Sequence, residues 1–306
     1  MEKYDLVIIG GGVTGFGAAM YAGRFEMKTL LLGDVMGGVI MTTNEVANYP
    51  GFKMITGTEL AEKLREHALD YKVDMKEIKV DKVEKAKDGF IVTTRESKYF
   101  ATSIILATGT EWKKLNVPGE KEFANKGVHY CALCDGAFYK NKVVAIIGGS
   151  DSAAKDALVL AEYASKVYMI YRGDKIHPEP VNLRRIEANS KIEVINKTNV
   201  VEIKGDRFVN KVILDKAHNG SKELALDATF IAIGHIPLSS LAKDIGMALD
   251  SKGEVIIDRH GFSNVEGAYA AGDVVNTDFK QAITGVAEGV TAAFNAYNYV
   301  SKKRLG

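Results

Sequence analysis

Apolar residues recur along the chain in two matched series. Leu6-Val7-Ile8-Ile9 runs into Gly10-Gly11-Gly12-Val13-Thr14-Gly15, and a helix-like pattern continues to about Arg24. Val143-Val144-Ala145-Ile146-Ile147 runs into Gly148-Gly149-Ser150-Asp151-Ser152-Ala153, with a helix-like pattern to about Tyr163. A further apolar run follows each, Thr29–Leu32 and Val167–Ile170. The two glycine turns are 148 − 10 = 138 residues apart. Each series predicts strand, glycine turn, helix, strand, the opening of a doubly wound parallel sheet.

The echo continues downstream. Short alternating segments from about Ile78 to Thr94, and again from about Ile192 to Leu226, predict small antiparallel meanders. Each leads to a buried strand ending in glycine, Ile104-Ile105-Leu106-Ala107-Thr108-Gly109 and Phe230-Ile231-Ala232-Ile233-Gly234. Pro118-Gly119 and Pro237 mark connectors after them. A last helix-like stretch, Gln281 to about Tyr299, needs a sheet to lie on, and no new sheet begins there. The expected fold is therefore α/β, with two Rossmann-like domains of three ββα layers, the second inserted into the first. Residues 1–114 and 240–306 form the first domain and 115–239 the second.

Composition narrows the function. A chain of 306 residues is longer than one core usually needs. Forty basic and 39 acidic residues leave a formal charge of +1, so no global field favours nucleic acid or anionic lipid. Only two cysteines occur, close together, which suits a reducing compartment better than a disulfide-stapled secreted fold. The opening residues Met1–Leu6 lack a signal-peptide pattern, and no apolar run approaches the ~18 residues of a membrane helix. These features predict a cytoplasmic protein with no membrane or nucleic-acid partner.

The glycine turns differ in quality. Gly10, Gly12 and Gly15 have the spacing that lets backbone amides approach a pyrophosphate at a helix N-terminus. An acid for the ribose is expected at the end of the second strand; Gly33 stands there, so Asp34 is the nearest candidate. In the second turn Gly148 is kept, Ser150 replaces the middle glycine, and Ala153 permits close helix–strand packing. The segment Tyr171–His177 offers Arg172 and Lys175 as cations for a 2′-phosphate, with His177 mostly neutral at pH 7. Gly148, Ser150, Ser152, Ala153 and Arg172 are thus the candidates for binding NADP(H) or NAD(H); the alternative is a nucleotide-binding fold retained as scaffold.

Cys131-Ala132-Leu133-Cys134 precedes Asp135-Gly136 just before the second glycine unit. At that spacing on a first helical turn, two cysteines can close a disulfide, and a helix N-terminus favours the thiolate that attacks one. Asp135 could exchange a proton with the leaving thiolate. Two other readings stay open: a zinc site through His129, Cys131 and Cys134, which lacks an evident fourth ligand, and simple buried packing. No metal is expected.

On these motifs the chain resembles the low-molecular-weight thioredoxin reductases over nearly its whole length. The matching stretches are Gly10–Gly15, Gly37-Gly38 through Thr42-Thr43 to 45–52, Ala107–Gly109, Cys131–Gly136, Ala232–Pro237, Ala270–Asp273 and Gln281-Ala282. The resemblance implies FAD in the first domain. Its contacts would be Gly10, Gly12, Val13, Thr14, Gly15, Gly38, Thr43, Asn48, Thr108, Gly109, Gly272, Asp273, Gln281 and Ala282. It also implies that Cys134 exchanges electrons with the flavin, Cys131 attacks a thioredoxin-like partner protein, and Asp135 serves as acid–base group. Hinges near Leu115–Gly119 and Gly234–Ser239, and a homodimer, are implied as well. The departures are Ser150, Gly173 and His177 in the second domain and Val39 in the first, and they resemble the ferredoxin-dependent flavin thioredoxin reductases. The expected donor is reduced ferredoxin or NAD(P)H. A dithiol oxidase passing electrons to oxygen, or a flavin-bearing redox sensor, are the competing functions.

Overall fold

Alternation along the first strand sets the layers. In β1 (Glu2–Ile9), Leu6 and Ile8 join one core cluster while Val7 and Ile9 join another, and all four are buried. A strand apolar on both faces belongs inside a sheet covered on both sides. The computed structural model describes residues 1–43 and 46–305, so Glu45 lies outside it.

The chain continues through α1 (Val13–Arg24), β2 (Thr29–Gly33), α2 (Gly57–Leu69) and β3 (Val73–Glu77), with β1, β2 and β3 parallel neighbours. Helix α2 begins on a capping box: Thr56 Oγ1 accepts from Glu59 N, and the Glu59 carboxylate accepts from Thr56 N. The strands β4 (Val80–Ala86), β5 (Gly89–Thr94) and β6 (Lys98–Leu106) make an antiparallel meander, and β6 runs on beside β1 as a parallel strand. One face of the sheet is thus covered by helices and the other by the meander. A short strand, β7 (Thr110–Trp112), leads out.

The second unit repeats the plan. It contains β8 (Val128–His129), α3 (Ala132–Asp135), β9 (Val143–Ile147), α4 (Asp151–Tyr163), β10 (Lys166–Ile170), α5 (Pro180–Ala188) and β11 (Ile192–Ile195). Then come β12 (Val200–Gly205), β13 (Val209–His218), β14 (Ser221–Ala225) and β15 (Ala228–Ile231). The parallel sheet has the order β11-β10-β9-β15-β8, and β12-β13-β14 form a separate antiparallel layer. Val144 and Ile146 pack with α4, whereas Ala145 and Ile147 pack with the antiparallel layer. One expectation is corrected: Ile192–Ile195 is the edge strand of the parallel sheet rather than the start of the meander. Its short alternating pattern is shared by an edge strand and a meander strand, so periodicity could not separate them.

The return passes through β16 (His235–Pro237), α6 (Ser240–Asp244), β17 (Ala268–Ala270) and α7 (Ala282–Leu305). Strand β17 adds to β6 in parallel, and α7 packs on α1. That approach is close: a Cβ on Gly289 would stand 2.4 Å from the Thr14 carbonyl oxygen. No helix among the described residues is long and apolar enough to cross a membrane.

The chain divides into two compact units, residues 1–111 with 236–306 and residues 112–235. Glu120 holds the start of the second unit together. This buried carboxylate accepts from Leu115 N, Asn116 N and the Tyr130 hydroxyl, while Pro118 O accepts from Ile203 N at 2.9 Å. Residues 115–120 are therefore tied into the second unit. Glu120→Ala should lower the stability of that unit by about 2–4 kcal/mol, because three donors lose a charged acceptor. Denaturant unfolding followed by Trp112, the one tryptophan, reads it; a loss under about 0.5 kcal/mol would remove Glu120 from this role.

Candidate functional site

At the first glycine turn, two glycines are demanded by packing and one is left open. Gly10 has φ +130°, and a Cβ there would stand 1.9 Å from Ala107 O. A Cβ on Gly15 would stand 1.9 Å from Gly10 O. Gly12 differs, since the nearest atoms to a Cβ are Gly38 Cα at 3.9 Å and Gly37 O at 4.0 Å. Gly12 is also the N-cap of α1; no side chain caps the helix and no acid stands in its first turn. The unpaired amides and the positive end of the helix dipole are left for an anion. A dinucleotide pyrophosphate fits this cradle.

The other first-domain candidates are placed as follows. Gly38 lies against Gly12, and Gly37 N donates to Gly11 O at 2.8 Å. Thr43 O accepts from Gly57 N, holding the segment against the start of α2. Asn48 Nδ2 donates to Gln281 Oε1 at 2.9 Å, just before α7 begins at Ala282. Thr108 donates to Leu238 O, and Gly109 has φ +67° with nothing within 4 Å of a Cβ. Gly272 N donates to Glu288 Oε2 at 2.8 Å, and Asp273 O accepts from Lys280 Nζ. The Thr14 side chain lies against Gly272 and Gly285, so only its backbone faces the turn. Asp34 is exposed beyond Gly33, where a Cβ would stand 2.6 Å from Gly11 N. That contact explains why no acid occupies position 33. Glu288 escaped sequence reasoning, because a single acid within a helix carries no pattern.

The second turn is filled by its own residues. Ser150 Oγ accepts from Ala153 N at 3.5 Å and caps α4, and Asp151 stands in the first helical turn. Asp151 in turn accepts from Glu179 N and Asn182 Nδ2 and pairs with Lys155 at 2.8 Å. The ring of Tyr171 covers the turn: a Cβ on Gly149 or on Gly173 would stand 2.5 Å from it. His177 N donates to Gly149 O, folding the loop back on itself. Gly148 and Ala153 pack as the pattern requires, whereas Ser152 and Arg172 are exposed. An arginine at 173 is incompatible with this position of Tyr171.

Cys131 and Cys134 form a disulfide with Cα atoms 5.3 Å apart. Cys131 is the N-cap of α3, and its Sγ accepts from Cys134 N at 3.0 Å. Cys131 is buried and Cys134 exposed. His129 Nε2 lies 2.7 Å from the Tyr139 hydroxyl and Nδ1 lies 2.9 Å from Asp135 Oδ2. With both nitrogens facing these partners, the zinc reading loses its histidine. Among the described residues no cluster of three metal-ligating side chains occurs.

Residues 4–289 match the pyridine nucleotide-disulphide oxidoreductase family. The chain is 37% identical to a thioredoxin reductase of Treponema pallidum, over 97% of both chains. The chain belongs to this family, among the low-molecular-weight thioredoxin reductases. It is accordingly a flavoprotein oxidoreductase. The fold is similar to that of the Lactococcus lactis thioredoxin reductase, with TM-score 0.94 and 39% identity over 98% of this chain and 99% of that one. A ferredoxin-flavin thioredoxin reductase of Clostridium acetobutylicum is 32% identical over 100% of both chains, with TM-score 0.56.

Burial holds the His129 imidazole below its ordinary pKa of 6.5, with the nearby Asp135 carboxylate opposing through its charge. The folded state therefore binds fewer protons at this site than the unfolded state. The resulting stability is full above about pH 6.5 and is lost as the pH falls below it. The difference in unfolding free energy between wild type and His129→Asn should shrink from about pH 7.5 to about pH 5.5. Denaturant titrations at both values measure it; a constant difference would contradict a neutral buried ring.

Proposed function

We propose that this protein reduces the disulfide of a thioredoxin-like protein through Cys131 and Cys134. The observation that carries the reading is the Cys131–Cys134 disulfide at the start of α3, with a backbone N–H on Cys131 Sγ and Asp135 next in the chain. That N–H stabilises a thiolate on Cys131 once the pair is reduced. FAD would be held at the open turn by Gly10, Gly12, Val13, Thr14 and Gly15, with Asp34, Gly38, Thr43, Asn48, Thr108, Gly109, Gly272, Asp273, Gln281 and Ala282 around it. Bound FAD supplies the electron pair that opens the disulfide, entering through Cys134.

From there the protein's own residues complete the exchange. The Cys131 thiolate attacks one partner sulfur, forming a mixed disulfide and releasing the other sulfur as a thiolate, which Asp135 can protonate. The Cys134 thiolate then attacks Cys131 Sγ, restoring the internal disulfide and releasing the partner, whose second sulfur takes a proton from solvent to complete the dithiol. Two electrons and two protons leave with it. The burial of Cys131 means that α3 must expose this sulfur during the exchange, a demand that conformational gating in enzymes commonly meets.

For the electron donor we propose reduced ferredoxin in preference to NAD(P)H. The Ser150 cap, the Tyr171 ring over Gly149 and the lack of side-chain cations at 173 and 177 all disfavour a bound 2′-phosphate. Each lost guanidinium contact removes roughly 1.5–3 kcal/mol from such a site. The thiol assignments are tested with protein reduced by dithiothreitol and desalted, which bypasses the donor. Mixed with oxidised thioredoxin, reduced Cys134→Ser should accumulate a mixed disulfide through Cys131, and Cys131→Ser should not. Accumulation in Cys131→Ser alone would reverse the roles, and an unchanged thioredoxin disulfide in the presence of reduced wild type would end the proposal.

A further inference from the structure

Behind the disulfide stands a buried group that thiol exchange alone does not require. His129 ends β8, two residues before Cys131, and is only 6% exposed. Its ring stacks on Phe230, with centroids 5.2 Å apart and planes 27° apart. Tyr139 meets the same ring edge-on and places its hydroxyl 2.7 Å from Nε2. Burial, with Asp135 and Asp227 adding to it, pushes the Tyr139 pKa up to about 12. Its O–H is therefore present at neutral pH and can donate to Nε2, which leaves the ring proton on Nδ1.

The Nδ1 edge faces Asp135 Oδ2 at 2.9 Å. In the oxidised protein this contact is short but not aligned as a hydrogen bond. Hydrogen bonds of this kind commonly straighten only in the reacting complex. Asp135 sits on a helix of one turn, Ala132–Asp135, which offers little rigidity of its own. The stacked ring is anchored on β8 and on Phe230 of β15, strands that are parallel neighbours in the sheet. A carboxylate on a one-turn helix thus faces a ring anchored on the sheet.

We propose that His129, with its tautomer set by Tyr139, is a positioning residue that aims Asp135 for proton exchange with the Cys131–Cys134 pair. This rests on the reading of Asp135 as the acid–base group. The effect of His129 passes through the carboxylate. A purely structural histidine at the same place would only fill space between Phe230 and Tyr139.

The experiment is a double-mutant cycle on single-turnover reduction of thioredoxin disulfide by dithiothreitol-reduced, desalted protein. His129→Phe keeps an aromatic ring against Phe230 and removes both nitrogens; His129→Asn keeps a donor near the position of Nδ1. Asp135→Asn should slow the reaction ~30-fold or more, in the range of general acid–base groups, and His129→Phe about 10-fold. Combining them should be no slower than Asp135→Asn alone, because the histidine then has nothing to aim. His129→Asn should recover to within about 3-fold of wild type, and Tyr139→Phe should cost about 2–5-fold. Melting temperature and flavin content of each variant identify any that misfold, and the cycle can be closed with His129→Gln in place of His129→Phe. If the double variant is another ~10-fold slower than Asp135→Asn, His129 acts independently and the proposal falls while Asp135 keeps its role. If Asp135→Asn reacts like wild type, the acid–base reading itself fails, and the positioning role fails with it.

Discussion

The first four backbone N–H groups of a helix have no partner within it, and both glycine turns of this protein are built around that deficit. At α1 the deficit is left unfilled: Gly12 offers no side chain, the first turn has no acid, and space stands open where a Cβ would go. At α4 it is filled from within, by the Ser150 hydroxyl, while Tyr171 lies over the adjoining glycine. Two turns of similar pattern therefore differ in what stands at the start of the helix. Much of the remaining design follows from that inequality. Gly10, Gly15 and Gly33 bring backbone segments together so that the open turn keeps its shape, and Gly17 and Gly289 let α7 reach α1.

The redox pair depends on a different economy of contacts. Cys131 serves at once as sulfur and as helix cap, so the hydrogen bond that starts α3 also prepares a thiolate. The preceding residues Val128–His129 form a strand of the parallel sheet, which fixes where α3 begins. The helix itself is one turn long, and its acid is met by a side chain from the sheet.

The parallel cores were legible because their strands carry apolar residues on both faces and end in glycine. Val143–Ile147 announces β9 as clearly as Leu6–Ile9 announces β1. Helix α2 could have been found from Thr56 and Glu59, which spell a capping box, although its apolar pattern is weak. Ile192–Ile195 could not be distinguished from a meander strand, since four residues are too few to show which neighbour a strand will choose. The replacement of the middle glycine by Ser150 was visible in the chain, but its consequence as a cap was not. Tyr171 gave no signal at all; only the fold lays its ring over Gly149 and against Gly173. His129 was visible only as a candidate metal ligand, because its partners Tyr139 and Phe230 are 10 and 101 residues away and sequence spacing says nothing of rings that stack.

The unequal turns are tested most directly by the electron donor. Protein carrying FAD would be mixed anaerobically with NADPH, NADH or chemically reduced ferredoxin while the visible absorbance of the flavin is followed. A self-filled second turn predicts no bleaching by either nicotinamide at micromolar concentration, and reduced ferredoxin, the donor proposed above, should bleach the flavin. Rapid bleaching by micromolar NADPH would contradict the account, because it would require the second turn to accept the nucleotide that Ser150 and Tyr171 are held to exclude.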